Sequence, residues 1–406
     1  MQATTALRRL NRMVAGVTQR EQRSLVQNAR IFASLLFLMD GMAFETWAAL
    51  IPSFQQKFRL LPAELSVVLL GLIGGAMVSM PLAGKLIERW GSRRVASPAA
   101  VGFATALLLL AFAPSYATLI LAAVVFGAWK GALDVSVNSQ AITVEEAMGR
   151  PINSSFQGFW SLGSLCAASS LGLLMNRGFS PTTLIIGMVA LLLVPAIWSF
   201  GRLLPDSAWK EQLAEGRTSR KSNMLWLLGG LAFLALFSEG VMFDWSAVYI
   251  RTVGGLSVAL APMGFAVFAL CMAAGRFAGD RLALKAGPVN TLRISGLFLA
   301  GGIGVAVVAH HWLAIALGFA LTGFGTANIA PVIYSTTGRL EGRGTSAGIA
   351  AVATMGYFGF LSGPPLIGFI TGLAGLPVAL SLGIISGSVI AIVGAVVVRR
   401  VRTAVY

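Results

Sequence analysis

Charge is scarce in this chain of 406 residues: Asp, Glu, Lys and Arg make up only 11% of it. Soluble domains carry roughly 25%. So little charge cannot cover the surface of a soluble protein of two or three domains. Cysteine is scarcer still. Cys166 and Cys271 each lie inside an apolar segment, which excludes a disulfide framework and a cysteine metal site. They read as small packing residues. The two histidines, His310 and His311, are adjacent and have no ligand partner at metal spacing, so neither a metal nor a cofactor is expected. No Gly-x-x-x-x-Gly-Lys-Ser/Thr loop occurs, which excludes drive by ATP of that type. No nucleophile–base pair stands out, so the chain is not expected to be an enzyme. The first thirty residues hold Arg8, Arg9, Arg12, Arg20, Arg23 and Arg30 and no apolar core before Ile31. They do not read as a signal peptide. They read as a cytoplasmic basic tail in reach of anionic lipid.

What the chain has in abundance is apolar sequence, 56% of it, gathered in long blocks. The stretches 95–113 and 313–338 contain no charged residue. About twenty apolar residues cross a bilayer as a helix, and a helix satisfies its own backbone groups in lipid. The blocks predict an all-α polytopic membrane protein with twelve spans. They fall at 31–53, 65–87, 95–114, 117–142, 154–175, 181–204, 224–250, 257–280, 290–309, 312–335, 344–371 and 376–398. Residues 205–223 are polar and read as a cytoplasmic linker between a six-helix bundle at 31–204 and another at 224–400, with 401–406 as a cytoplasmic tail. The net charge of +15 does not mark a nucleic-acid binder, because the basic residues sit between the apolar blocks.

Those basic residues also give the orientation. With both termini in the cytoplasm, the cytoplasmic segments hold 24 Lys and Arg and the opposite side 4, as the positive-inside rule requires. The two halves resemble each other. Asp40-Gly41-Met42-Ala43-Phe44-Glu45 in span one matches Glu239-Gly240-Val241-Met242-Phe243-Asp244 in span seven, 199 positions on. The loop at 84–94 after span two is matched by Gly279-Asp280-Arg281-Leu282 after span eight. Repeats of this kind suit transporters with a central site between halves.

These features resemble the major facilitator superfamily over essentially the whole chain. The loop at 84–94 is similar to that family's signature between helices two and three, with Glu88 where an Asp is usual and Ser92 at a basic position. The resemblance implies a gate on the cytoplasmic face, formed by Gly84, Glu88, Arg89, Gly91 and Arg93 together with Arg276, Asp280 and Arg281. A narrower resemblance rests on 131–140 (GALDVSVNSQ), on Gly149-Arg150-Pro151-Ile152 with Ser154-Ser155-Phe156, and on Asp244-Trp245-Ser246-Ala247-Val248-Tyr249. These runs are similar to a bacterial subfamily that includes the membrane protein of rhizopine clusters, which implies an inositol amine or related solute as cargo. Lys130 and Gln157 depart from the subfamily pattern, which expects an uncharged residue and His.

Ionisable groups inside a membrane are costly, so each is a candidate functional residue. Asp40, Glu45, Glu239 and Asp244 are the proton-coupling candidates, against a plain structural reading as hydrogen-bonded ties. Asp40 and Glu45 stand five residues apart, about 500° of helical rotation, and do not share a face. Lys130, Asp134 and Asn138, at i, i+4 and i+8, form one stripe on span four. The blander reading there is a structural ion pair. With Gln157, Trp160, Trp47, Asn328 and Tyr357 they make up the substrate-binding candidates, because polar rings rest on aromatic faces beside amides and acids. Packing explains each aromatic equally well.

The expected function is secondary transport of a small polar, sugar- or cyclitol-like solute across the bacterial inner membrane. It would proceed by alternating access, coupled to protons and running as export, in a monomer whose partners are solute, protons and lipid. Import by proton symport is the alternative. A receptor that senses solute without flux is another, though it calls for a signalling domain.

Overall fold

The computed structural model describes residues 19–205, 222–257, 260, 261, 263–340 and 346–405, and among them it is helical with no strand. Most of the basic tail and of the 205–223 linker lies outside the described residues. In chain order the helices are α1 (Gln19–Phe58), α2 (Pro62–Trp90), α3 (Ser92–Ala111), α4 (Tyr116–Met148), α5 (Asn153–Asn176) and α6 (Pro181–Trp198). There follow α7 (Ser222–Thr252), α8 (Met263–Val308), α9 (Trp312–Thr326), α10 (Ile329–Leu340) and α11 (Ser346–Ala374). The last crossing runs from α12 (Leu376–Leu380) through α13 (Leu382–Val389) and a π-turn at Ile390–Gly394 into α14 (Ala395–Val405).

Eleven stretches of helix among the described residues are long and apolar enough to cross a membrane. One of them, α8, has 46 residues and is about 69 Å long at 1.5 Å per residue, twice the hydrocarbon thickness. It bends at Gly287, whose φ of 74° is open to glycine, and Pro288 follows. The bend divides α8 into two crossings and brings the number to twelve. The expected loop at 281–289 is therefore helix almost throughout. Leu282, Ala283, Leu284, Lys285 and Ala286 are all strong helix formers, and the chain turns only at the Gly-Pro step. The tenth span stands as one apolar crossing, Trp312–Leu340, interrupted by a turn at 327 and 328 that separates α9 from α10. Pro331 has no N–H for the Ala327 carbonyl and its ring crowds that carbonyl.

The described residues fall into two compact units. The first lies within Met1–Arg150, Phe159–Thr218 and Gly344–Ala350, the second within Pro151–Gly158, Ser219–Arg343 and Ala351–Tyr406. Each unit turns large apolar side chains outward, such as Val78, Leu173, Leu297 and Phe369. In water this would be a defect; in lipid it is the solvated face. Lipid supplies no hydrophobic drive between helices, so close backbone approach at small residues holds them together. In the first unit α1 crosses α5 with Gly41 against the Trp160 carbonyl and Gly163 against the Leu38 carbonyl. In the second, α7 crosses α11 with Gly240 against the Phe360 carbonyl and Gly363 against the Phe237 carbonyl. The two contacts of the first unit recur in the second at offsets of 199 on one helix and 200 on the other, so the internal repeat seen in sequence is also a repeat of packing.

Candidate functional site

In the first unit, α1 and α4 bring three charged groups together. Asp40, Lys130 and Asp134 are 1%, 3% and 9% exposed. The Lys130 ammonium donates to Asp40 Oδ2 at 3.0 Å and to Asp134 Oδ1 at 2.5 Å. It also stands 5.8 Å from the Phe44 ring centroid and 6.0 Å from that of Phe103, whose faces are attractive to a cation. Asp40 Oδ1 is buried with no hydrogen-bond partner. Two carboxyls thus share one ammonium. Fully ionised, the cluster holds an excess negative charge out of water, a state that costs several kcal/mol. One proton on a carboxyl removes that charge. Asn138 continues the stripe and donates its side-chain amide to the Asp134 backbone carbonyl at 2.8 Å.

Glu45 points elsewhere, as the rotation along α1 requires, and its Oε2 accepts from Ser164 of α5 at 2.6 Å. Trp160, half-buried, has its ring 6.3 Å from that of Phe44. Trp47, 2% exposed, lies in the packed interior between Phe54 and Phe126.

In the second unit, Glu239 pairs with Arg276 of α8, the guanidinium Nη2 lying 3.3 and 3.4 Å from the two carboxylate oxygens. Sequence spacing sets Arg276 one turn from Asp280; the structure adds Glu239 as a partner of its guanidinium. Asp280 accepts the backbone N–H of Ser155 at 3.1 Å. Its carboxylate thereby caps the first turn of α5, where a free N–H group favours an acid. Asn153 adds a side-chain bond to the Pro331 carbonyl at 3.2 Å. Asn328, 3% exposed, donates to the Gly275 carbonyl at 3.2 Å, while its Oδ1 is buried with no partner. Gln157 and Tyr357 are half-buried. Asp244 is exposed and makes no hydrogen bond or ion pair among the described residues.

The remaining gate candidates lie at the end of α2 and the turn after it. Gly84 is buried, Glu88 and Arg89 are exposed, Gly91 makes the turn at φ 86°, and Arg93 donates to the Gly201 carbonyl at 2.7 Å. Arg281 is exposed. Sequence reasoning did not find Ser164, Phe44 or Phe103 as partners of the charged groups, nor His311 as the cap of α9, where its Nδ1 accepts the Leu313 N–H at 3.3 Å. A histidine just ahead of an apolar block was the one legible signal among these. Among the described residues, no three His, Cys, Asp or Glu side chains converge to hold a metal ion.

Comparison with known proteins gives the family. A model described as Major Facilitator Superfamily matches residues 32–308. An uncharacterized MFS-type transporter of Yersinia pestis is 35% identical over 350 residues, which cover 86% of this chain and 91% of that protein. Membrane protein MosC of Rhizobium meliloti is 34% identical over 358 residues, covering 87% of this chain and 86% of that protein. Among solved structures, the transporter FucP in its outward conformation is similar in fold, with a TM-score of 0.73 at 18% identity, covering 91% of this chain and 98% of that one. A chain with twelve apolar crossings, a repeated packing unit and these relatives belongs to the major facilitator superfamily, and is a multi-pass membrane transporter of a small-molecule substrate.

Proposed function

We infer that this transporter couples solute movement to protons through the Asp40–Lys130–Asp134 cluster, with Asp40 as the carrier. The observation that carries the reading is the buried excess of one carboxyl over the single ammonium. Asp40 is the more enclosed acid, and one of its oxygens has no partner. Gaining and losing a proton there changes the cluster from neutral to charged, and with it the strength of the tie between α1 and α4. A rearrangement biased by such a change is how a proton gradient drives alternating access. The solute is a small polar one, sugar- or cyclitol-like, and the resemblance to the rhizopine-cluster subfamily favours export of an inositol-amine type of compound. The excess of Lys and Arg in alternate connecting segments supports an inner-membrane orientation with both termini in the cytoplasm.

The test is substrate-induced proton movement in proteoliposomes, read across inositols, inosamines, hexoses and cationic drugs. A pH signal with one polar solute is expected, and its sign gives export or import. Asp40→Asn is expected to retain binding and to lose proton-driven flux on the order of 100-fold. Unchanged flux in that variant removes Asp40 from the mechanism.

A further inference from the structure

Where α3 ends and α4 begins, the first unit has a groove of about 380 Å³. Leu108, Leu109 and Phe112 line one side of it, and Thr118, Leu121 and Val125 the other. Leu109, Phe112 and Leu121 are exposed, so the groove opens on the lipid side of the bundle. Its volume is one at which pockets hold small ligands, about 300–1,000 Å³. Its only side-chain hydroxyl is already used: Thr118 Oγ1 donates to the Ser115 carbonyl at 2.8 Å and accepts the Ser115 N–H at 3.0 Å. A polar solute finds no side-chain partner on these walls. Hydrocarbon needs none.

The rim, by contrast, is charged. Ala113 and Pro114 line the groove at the turn, and the Ala113 carbonyl accepts from Lys57 Nζ at 3.1 Å, with the Ala111 carbonyl at 3.2 Å. Lys57, exposed at the end of α1, cancels the negative end of α3. An ammonium has three donors, so one remains. Two residues on, the exposed Arg59 has a φ of 52°, the only left-handed non-glycine residue among those described. Glycine is the ordinary residue at such a helix end, and an arginine there is held at a cost in backbone energy. Neither cation pairs with an acid among the described residues. Glu64, the nearest acid in sequence, caps α2 by accepting the Leu61 N–H at 2.8 Å. The connecting segments on this side of the spans hold four Lys and Arg in all, and two of the four stand at this rim.

We propose that the groove seats an acyl chain of a phospholipid of net negative charge, with the headgroup phosphate against Lys57 and Arg59. Phosphate bonds to such groups are charge-assisted, and a chain lying on Leu109, Phe112 and Leu121 covers apolar walls that offer nothing else. The orientation inferred above puts this lipid in the outer leaflet. The site itself depends on neither that orientation nor the proton reading.

The experiment takes the full-length protein in neutral detergent and counts bound lipid by native mass spectrometry, comparing dioleoyl phosphatidylglycerol with dioleoyl phosphatidylcholine. Phosphatidylglycerol is expected to be held on the order of 30-fold more tightly, and Arg59→Gly to reduce that preference about fivefold. Glycine suits the backbone at this position, so Arg59→Gly should melt at or above the wild-type temperature without lipid, and lost lipid is then not lost folding. Val125→Trp, which fills the groove and keeps both cations, is expected to weaken both lipids on the order of tenfold. Arg177→Gln, at another cation of the same side, should change nothing. Equal binding of the two lipids overturns the proposal, as does a preference that survives Arg59→Gly. Binding indifferent to Val125→Trp, or sn-glycerol 3-phosphate held as tightly as phosphatidylglycerol, shows that no chain occupies the groove and overturns it too. An equal loss in Arg177→Gln and Arg59→Gly reduces the effect to general surface charge and has the same force.

Discussion

Lys130→Met is expected to be among the most destabilising single substitutions in the first unit, at about 3–5 kcal/mol. The methionine fills the volume but leaves Asp40 and Asp134 facing each other with no cation, both nearly excluded from water. Breaking a buried pair costs more than never having built one, because the surviving charge keeps its desolvation penalty. This gives the prediction a second arm. The triple variant Asp40→Asn, Lys130→Met, Asp134→Asn carries no charge at the site and should regain much of the lost stability while showing no proton-driven transport. Thermal unfolding in detergent measures the first effect, and the proteoliposome assay the second. Wild-type melting of Lys130→Met would show that the cluster does not hold α1 to α4. Failure of the triple variant to recover would show that the single variant suffers from lost packing at Phe44 and Phe103 rather than from stranded charge.

Gly41→Val should cost about 1–3 kcal/mol. A Cβ at Gly41 falls on the Trp160 carbonyl, and backbone of α5 has nowhere to yield without moving the whole helix. A side chain already in contact can swing away; a carbonyl in the middle of a helix cannot. Gly74, on α2, has open space where its Cβ would stand, and Gly74→Val should stay within about 0.5 kcal/mol. The two variants add the same atoms to the same kind of helix, so their difference in melting temperature reports the crossing alone. Equal melting would mean that the α1–α5 approach is looser than the structure has it. Gly240→Val, at the repeated crossing in the second unit, should behave like Gly41→Val.

The hydrophobic blocks made the crossings legible, because in lipid an apolar run of the right length has few other structures open to it. The i, i+4 spacing made Lys130–Asp134 legible as a pair. Asp40 was not, because it is ninety positions from Lys130, and only the packing of α1 on α4 decides which acid an ammonium meets. The match between Asp40 and Glu239 was visible in the chain, yet their cations come from non-equivalent helices, α4 and α8. A repeat conserves backbone crossings such as Gly41 and Gly240 more faithfully than the side chains hung on them. Pattern likewise overlooked the helix through 281–286, since charged residues between apolar blocks look like a loop, and Arg, Leu, Ala and Lys are equally at home in a helix that has left the membrane.

The bend at Gly287 has a consequence for which changes in chain length the protein tolerates. Most crossings are joined by non-helical residues, such as the exposed 177–180, and there an added residue changes little beyond the length of a connection. Within α8 no such slack exists. One residue inserted at 282–286 would turn everything beyond it by about 100° and advance it by about 1.5 Å, unless the helix before the bend took up the whole change. Each residue beyond the joint would take the place of the one after it, so that the exposed Phe298 would be driven into the buried place of Leu299, and Leu299 would turn out toward the half-buried place of Ala300. Single-codon insertions and deletions at this joint should be as damaging as changes in the middle of a span. For the same reason epitope tags and protease sites, routinely accepted between crossings, should be refused there.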